Sequence, residues 1–225
     1  MTRDLAHHGA MTTTLHTRAA ALQTELRYLA LGDSYTIGEA VDEAGRWPMR
    51  LARLLRAEGI PLADPEIIAT TGWTTDELDD AITAAEPLGG FDFVTLLIGV
   101  NNQYRGRSVD EYRVQFAALL WRAVGFAGNR PGRVLALSIP DWGVTPFAAQ
   151  SGRDTTAIAG EIDAFNAAAR DACALRGIRF VDVTGISRER GAEPAMLADD
   201  GLHPSVAMYT EWARLALPAA RAILP

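Results

Sequence analysis

Residues 29–38 read LALGDSYTIG, an apolar run that stops at a glycine, an aspartate and a serine. A short, continuous apolar run is typical of a strand buried on both faces of a parallel sheet. Serine after a strand often caps a helix, and glycine relaxes the turn between the two elements. The stretch therefore predicts a strand-to-helix turn, and the function depends on what the fold brings near Ser34.

Four more runs have the same character, and segments of helical periodicity separate them. The five predicted strands are residues 28–31, 67–69, 93–98, 134–139 and 180–183. One helix face is marked by Tyr112, Phe116, Leu119 and Ala123, and another by Ile158, Ile162, Phe165 and Ala169. A last helix from Pro204 places Met208, Trp212 and Leu215 on one stripe, and Pro218 should kink or end it. Strands alternating with helices predict an α/β fold, a three-layer α/β/α sandwich around a five-stranded parallel sheet.

Composition limits the class of protein. With 225 residues, 48% hydrophobic and 22% charged, the chain suits one globular domain, which we place at residues 27–225. A net charge of −7 argues against nucleic acid as a partner. The lone Cys173 excludes an intramolecular disulfide and a thiolate zinc site.

Residues 1–26 read as a flexible leader. They lack the apolar core of a secretory signal, so we expect a cytoplasmic protein. No window approaches 18 uninterrupted apolar residues, so no membrane insertion is predicted. In this polar leader, His7, His8 and His16 are more typical of a tail than of a metal site.

Polar residues follow every predicted strand. Parallel α/β sheets bind ligands beyond the carboxyl ends of their strands, so these segments should open onto one edge. In chain order they are Gly32-Asp33-Ser34, Thr70-Thr71-Gly72, Gly99-Val100-Asn101-Asn102, Pro140-Asp141-Trp142 and a loop ending in Asp199-Asp200-Gly201-Leu202-His203-Pro204.

These residues suit acyl transfer. A serine hydroxyl is a weak nucleophile, so an imidazole must take its proton, and His203 is the only histidine outside the leader. A carboxylate must orient that imidazole, and Asp200 is better spaced for this than Asp199. Negative charge on the attacked carbonyl oxygen calls for donors, which the Ser34 N–H, the Gly72 N–H and the Asn101 side chain could supply. Gly72 suits this role because a missing Cβ lets the backbone approach a ligand closely.

Four blocks in order, Gly32-Asp33-Ser34 with Gly38, Gly72, Gly99-x-Asn101 and Asp200-x-x-His203, resemble the GDSL or SGNH hydrolase family over residues 28 to 206. The resemblance implies a flavodoxin-like sheet and a serine esterase or lipase that cleaves esters or thioesters without metal or cofactor. It also implies Ser34, Asp200 and His203 as the catalytic triad, and Ser34, Gly72 and Asn101 as the oxyanion hole. The family usually has Leu after its serine and Asp after its asparagine, where this chain has Tyr35 and Asn102.

The substrate pocket is predicted from the two positions that differ from the family pattern and from the aromatic residues that follow strand ends. The candidates are Tyr35, Trp73, Asn102, Tyr104 and Trp142. They suit the acyl or sugar part of a small-molecule, lipid or sugar ester, although aromatic residues are more often core. Arg105 and Arg107 are expected to be solvated. Neither the substrate nor the oligomeric state follows from the sequence.

Two other functions are compatible with the predicted fold. A non-catalytic phosphate- or nucleotide-binding module could use the loop after the first strand, but that loop carries Asp33 and Glu39, no lysine and no G-x-G-x-x-G. A metal-dependent phosphoesterase could use Asp33, Asn101 and His203, but it would need more ligands near the strand ends than the sequence offers.

Overall fold

A computed structural model describes residues 24–224 of the chain. The predicted leader, with His7, His8 and His16, lies outside these residues except for its last three positions. Leu26 belongs to the fold, because it forms a parallel bridge with Leu62 and its amide donates to the Pro61 carbonyl at 2.8 Å. The described domain therefore begins before the predicted boundary at residue 27.

The described residues contain a five-stranded parallel sheet in the order β2-β1-β3-β4-β5. Each strand lies within two residues of its predicted position, and the predicted α/β fold is confirmed. The strands are β1 (Tyr28–Gly32), β2 (Glu66–Ala69), β3 (Phe93–Leu97), β4 (Val134–Leu137) and β5 (Arg179–Val181).

Helices cover both faces of the sheet. β2 lies on one side of β1 in the sheet, and β3, β4 and β5 follow in order on the other side. Because the connections are right-handed, the helix between β1 and β2 lies on one face of the sheet and the later crossover helices lie on the other. Helices α2 (Trp47–Ala57) and α9 (Val206–Arg221) pack together, and α5 (Val109–Phe126) packs against both α3 (Thr75–Ala85) and α7 (Thr155–Ala174). The shorter helices are α1 (Ser34–Ile37), α4 (Val100–Tyr104), α6 (Pro146–Ser151) and α8 (Thr184–Arg190).

The last helix differs from its prediction in two ways. It runs through Pro218 to Arg221, so Pro218 does not end it. Its buried face is centred on Tyr209, Trp212, Ala213 and Ala216, so Leu215 lies off that face and is 45% exposed. The stripe drawn from Met208 through Leu215 was therefore wrong at its far end, because it followed one edge of the buried face rather than its centre.

The strand order places the site. The chain reverses its direction of travel between β1 and β3, and a doubly wound sheet has its crevice at such a switch point. Ser34 follows β1 and Asn101 follows β3, so both begin helices at the mouth of this crevice.

Candidate active site

Ser34 is held at a tight strand-to-helix turn. A Cβ on Gly32 would lie 2.4 Å from the Leu97 carbonyl oxygen and 2.2 Å from Thr36 Oγ1, so only glycine fits where β1 passes β3. Asp33 then caps α1, and its Oδ1 accepts the Tyr35 amide at 3.0 Å. The glycine and aspartate of the quoted stretch therefore build the turn, and Ser34 is the first helical residue.

A cavity of about 220 Å³ opens beside Ser34. Ser34 itself is only 4% exposed. The predicted residues Gly72, Asn101 and His203 line the same cavity. Four segments far apart in sequence therefore meet around one serine.

The pair of Asp200 and His203 is built by a single turn. Asp200 Oδ1 accepts the amides of Leu202 and His203, both at 2.9 Å, and Oδ2 lies 2.6 Å from His203 Nδ1. Although burial acts to raise it, hydrogen bonds from the His203 ring and from these two amides hold the pKa of Asp200 below its ordinary value. Ionised Asp200 keeps the neutral imidazole proton on Nδ1 and leaves Nε2 free to accept a proton.

The backbone conformation at Gly72 favours glycine independently of any ligand. The space where its Cβ would lie is open, with the Arg105 guanidinium 3.9 Å away. Its φ is +89°, a left-handed conformation that strains other residues. Arg105 donates to the Gly72 carbonyl at 2.6 Å and to Glu77 at 3.0 Å, so this arginine holds the loop rather than being free in solvent.

Asn101 is oriented by a backbone carbonyl. Its Nδ2 donates to the Trp73 carbonyl at 2.9 Å, which leaves the second Nδ2 hydrogen for another acceptor. Neither the Ser34 amide nor the Gly72 amide donates to another residue in the range 24–224. Three donors are therefore uncommitted at one cavity.

The predicted pocket residues divide into two groups. Tyr35, Tyr104 and Trp142 line the cavity. Asn102 does not, because it is fully buried and bonded to Thr75 through both its Oδ1 (3.1 Å) and its Nδ2 (2.7 Å). Trp73 contributes its carbonyl to Asn101, while its side chain packs against the core.

Four other residues line the cavity, and only Phe147 lies outside the strand-end segments expected at this edge. Phe147 follows β4 by ten positions and reaches the cavity because its amide donates to the Gly201 carbonyl at 3.2 Å. No local pattern marks such a contact between two loops. The other three, which the strand-end segments contain but which were not predicted as pocket residues, are Thr71, Val100 and Leu202.

Asp33, the residue before Ser34, is a buried acid with a raised pKa. It is fully buried, and its Oδ2 has no hydrogen-bond partner among the described residues. Burial raises the pKa of Asp33 from 3.8 to about 7, against the effect of the Tyr35 amide. The folded protein therefore holds this proton at pH values where the unfolded chain has released it.

This pKa predicts a fall in stability with pH. From about pH 4 to about pH 7 the unfolded state binds fewer protons at Asp33 than the folded state, so the free energy of unfolding falls, by about 1.4 kcal/mol per unit of pKa difference. Above pH 7 the contribution is constant. Asp33→Asn removes it, so urea unfolding should show that the variant gains stability relative to the parent between pH 5 and pH 8. If the free energies of unfolding of the two proteins differed by the same amount at pH 5 and at pH 8, the raised pKa would be contradicted.

Two kinds of feature are absent from residues 24–224. In that range no group of three or more His, Cys, Asp or Glu side chains is placed to hold a metal ion. None of the helices described there is long and apolar enough to cross a bilayer.

Comparisons with known proteins agree with the geometry. Residues 30–210 match the GDSL-like lipase/acylhydrolase family, so the chain belongs to that family, and its reaction class is carboxylic ester hydrolysis. This favours ester hydrolysis over anion binding and over metal-dependent phosphoester cleavage. No curated protein sequence matches.

Solved structures share the fold at low identity. TesA is 20% identical with a TM-score of 0.68, over 88% of this chain and 99% of TesA. A lipase/acylhydrolase from Enterococcus faecalis is 19% identical with a TM-score of 0.67, over 89% and 98% of the two chains. A variant of Axe2, an acetyl xylan esterase from Geobacillus stearothermophilus, is 19% identical with a TM-score of 0.68, over 87% and 94%.

Proposed function

We propose that this member of the GDSL-like lipase/acylhydrolase family hydrolyses small carboxylic esters through an acyl-enzyme formed on Ser34. The observation that carries the proposal is the convergence of four sequence segments: Ser34, Gly72 and Asn101 line one cavity with His203, whose ring Asp200 holds at 2.6 Å. A nucleophile, a base, an orienting carboxylate and uncommitted donors are the groups that acyl transfer needs.

In the first half of the reaction, Ser34 Oγ attacks the ester carbonyl carbon and its proton passes to His203 Nε2. The carbonyl π electrons move to the oxygen, whose charge the Ser34 amide, the Gly72 amide and Asn101 Nδ2 stabilise. The intermediate then breaks its bond to the alcohol oxygen. His203 gives the proton to that oxygen, the alcohol leaves, and Ser34 remains acylated.

In the second half, His203 takes a proton from water as the water oxygen attacks the acyl carbonyl. Collapse of this intermediate breaks the bond to Ser34 Oγ, and His203 returns the proton to the serine. A carboxylic acid is released. Throughout, Asp200 stays ionised and stabilises the imidazolium that forms twice in each cycle.

A phosphonate ester tests the nucleophile directly. With a p-nitrophenyl phosphonate, Ser34 Oγ should attack phosphorus, release p-nitrophenolate and form a stable phosphonyl adduct. Peptide mass spectrometry would locate the adduct on the peptide containing Ser34. Denatured protein, in which the triad is dispersed, should not react. Labelling at another serine, or equal labelling after denaturation, would overturn the assignment.

Asn101→Ala tests the oxyanion hole. Loss of one donor should lower kcat by a factor on the order of 10² to 10³ with little change in KM, because the charge develops only after binding. Steady-state kinetics with p-nitrophenyl butyrate measures both constants.

Asn102→Ala is the matched control for Asn101→Ala. Asn102 is the next residue but points away from the cavity to Thr75. Its loss should lower the melting temperature and leave kcat of the folded protein within about threefold, since buried unsatisfied groups cost stability. A kcat loss equal to that of Asn101→Ala would show that both act by holding the loop.

A further inference from the structure

A second, smaller cavity lies directly behind the one beside Ser34. Its volume is about 20 Å³, close to the roughly 10–15 Å³ that a single water needs. Tyr35, Trp142 and Leu202 line both cavities, so these three side chains form the partition between them.

We propose that the Tyr35 ring sets the maximum length of the acyl group, and that the enzyme is an esterase for short acyl chains. This inference rests on the proposed function, since it places the acyl group of the Ser34 adduct against the partition. Ser34 and Tyr35 line the same cavity, and the Tyr35 ring also contacts the His203 ring, so we place the Tyr35 ring beside the first carbons of a group bound to Oγ. The open cavity, at about 220 Å³, is also below the ~300–1,000 Å³ of pockets that enclose drug-sized ligands.

The Tyr35 ring is held by one aromatic neighbour from each cavity, His203 from the first and Trp212 from the second. The residue is 3% exposed, and its ring makes edge contacts with His203 and Trp212, each at 5.8 Å between centroids. Trp212 is fully buried in α9. Because packed aromatic rings of this kind cannot swing aside without opening a void, the partition is expected to stay in place when substrate binds.

Trp142 forms a second fixed part of the partition. Its indole Nε1 donates to Gln103 Oε1 at 2.9 Å in a buried hydrogen bond. Tyr104 and Phe147 pack against the indole at centroid distances of 5.5 Å and 6.1 Å. Since Gln103 lies on the same short helix as Asn101, the position of the partition is coupled to that of the oxyanion donor.

The space behind the partition is suited to methylene groups. Its apolar lining includes Met196, Met208 and Trp212, and methionine side chains adapt readily to a new neighbour. Three polar side chains in the lining are already bonded within the protein: Asp141 Oδ2 accepts Arg188 Nε at 2.8 Å, and the Thr145 and Ser187 hydroxyls donate to the Trp142 and Thr184 carbonyls, both at 2.7 Å. Removing the Tyr35 ring would therefore extend the first cavity with an apolar volume.

The test compares p-nitrophenyl acetate, butyrate, hexanoate and octanoate, which differ only in the acyl group. The parent should prefer acetate or butyrate and lose kcat/KM towards octanoate. In Tyr35→Ala the ratio of octanoate to acetate kcat/KM should rise by about tenfold to a hundredfold, since each buried methylene contributes about fourfold. Tyr35→Phe keeps the ring and should keep the parent profile.

Control variants separate the partition from general damage. Phe116→Ala removes a fully buried ring that lines neither cavity, so it should lower stability without changing the octanoate-to-acetate ratio. Tyr35→Leu, a milder truncation, replaces Tyr35→Ala if circular dichroism shows that the alanine variant is unfolded, and should shift the ratio in the same direction. A series of acetate esters with lengthening alcohols should show no such shift.

Three results would overturn the inference: an unchanged ratio in the folded Tyr35 variant, a shift in Tyr35→Phe as large as in Tyr35→Ala, or a shift confined to the alcohol series. Phosphonate labelling separates this failure from failure of the proposed function. If Ser34 is labelled and the ratio does not move, only the acyl limit is wrong. If Ser34 is not labelled, the acyl-enzyme itself is wrong.

Discussion

Ser34→Ala will lower kcat for p-nitrophenyl butyrate by a factor on the order of 10⁶, the loss expected when the nucleophile of a triad is removed. Alanine leaves the cavity, the oxyanion donors and the pair of Asp200 and His203 in place, but it has no oxygen to carry the acyl group. Ester binding should persist, so the effect should fall on kcat rather than on KM. Stopped-time assays with concentrated enzyme, corrected for spontaneous hydrolysis, measure the residual rate.

Two further variants make this result specific. Ser34→Ala combined with His203→Ala should be no slower than Ser34→Ala alone, because the two residues act as one unit and their losses are not additive. Ser205→Ala removes the cap hydroxyl that accepts the Met208 amide at 3.4 Å in α9, and should lower stability while kcat stays near that of the parent. A Ser34→Ala protein that retained a tenth of the parent activity would rule out the acyl-enzyme.

Asp200→Asn will lower kcat by a factor on the order of 10⁴, with KM nearly unchanged. Asp200 Oδ2 lies 2.6 Å from His203 Nδ1 and fixes which ring nitrogen carries the proton. An asparagine amide can instead donate a hydrogen bond to Nδ1, which favours the tautomer whose proton is on Nε2. In that tautomer Nε2 cannot accept the proton of Ser34. The variant also loses the charge that stabilises the imidazolium. Steady-state kinetics and a melting curve should show lost catalysis in a folded protein.

Asp199→Asn is the matched control for this variant. The two aspartates are adjacent, and Asp199 is exposed and makes no hydrogen bond or ion pair to the described residues. The same neutralisation at position 199 should leave kcat within about twofold. Equal losses at positions 199 and 200 would mean that loop charge, rather than imidazole orientation, is responsible.

The fold could be predicted because its signals are local. Continuous apolar runs separated by helical periods are read from neighbouring residues, and right-handed crossovers restrict how they connect. The base and its carboxylate partner could also be predicted, because few residues of the right type are available. His203 is the one histidine outside residues 1–26, and the spacing from Asp200 matches a single turn. Whether Pro218 ends its helix is not a local signal, because it depends on the packing around that helix, which here continues to Arg221.

The pocket was harder to predict. Asn102 was expected at the substrate and is instead fully buried against Thr75, whereas Phe147 was not expected and lines the cavity. Adjacent residues on a helix point about 100° apart, so Asn101 and Asn102 face different surroundings even though their residue type and strand-end position are the same. Which one reaches the cavity depends on how α4 is rotated against α3.

By itself, the sequence determined the layered architecture, the family and the groups available for chemistry, because these depend on residue type, order and short spacing. Tertiary structure alone decided which strand-end residues face Ser34, why Gly72 must be glycine, and where the cavity ends. The stretch at residues 29–38 illustrates both. Its glycine and serine predict the turn, but the partition formed by Tyr35 exists only because Trp142 and Leu202, more than a hundred residues away, close the other side.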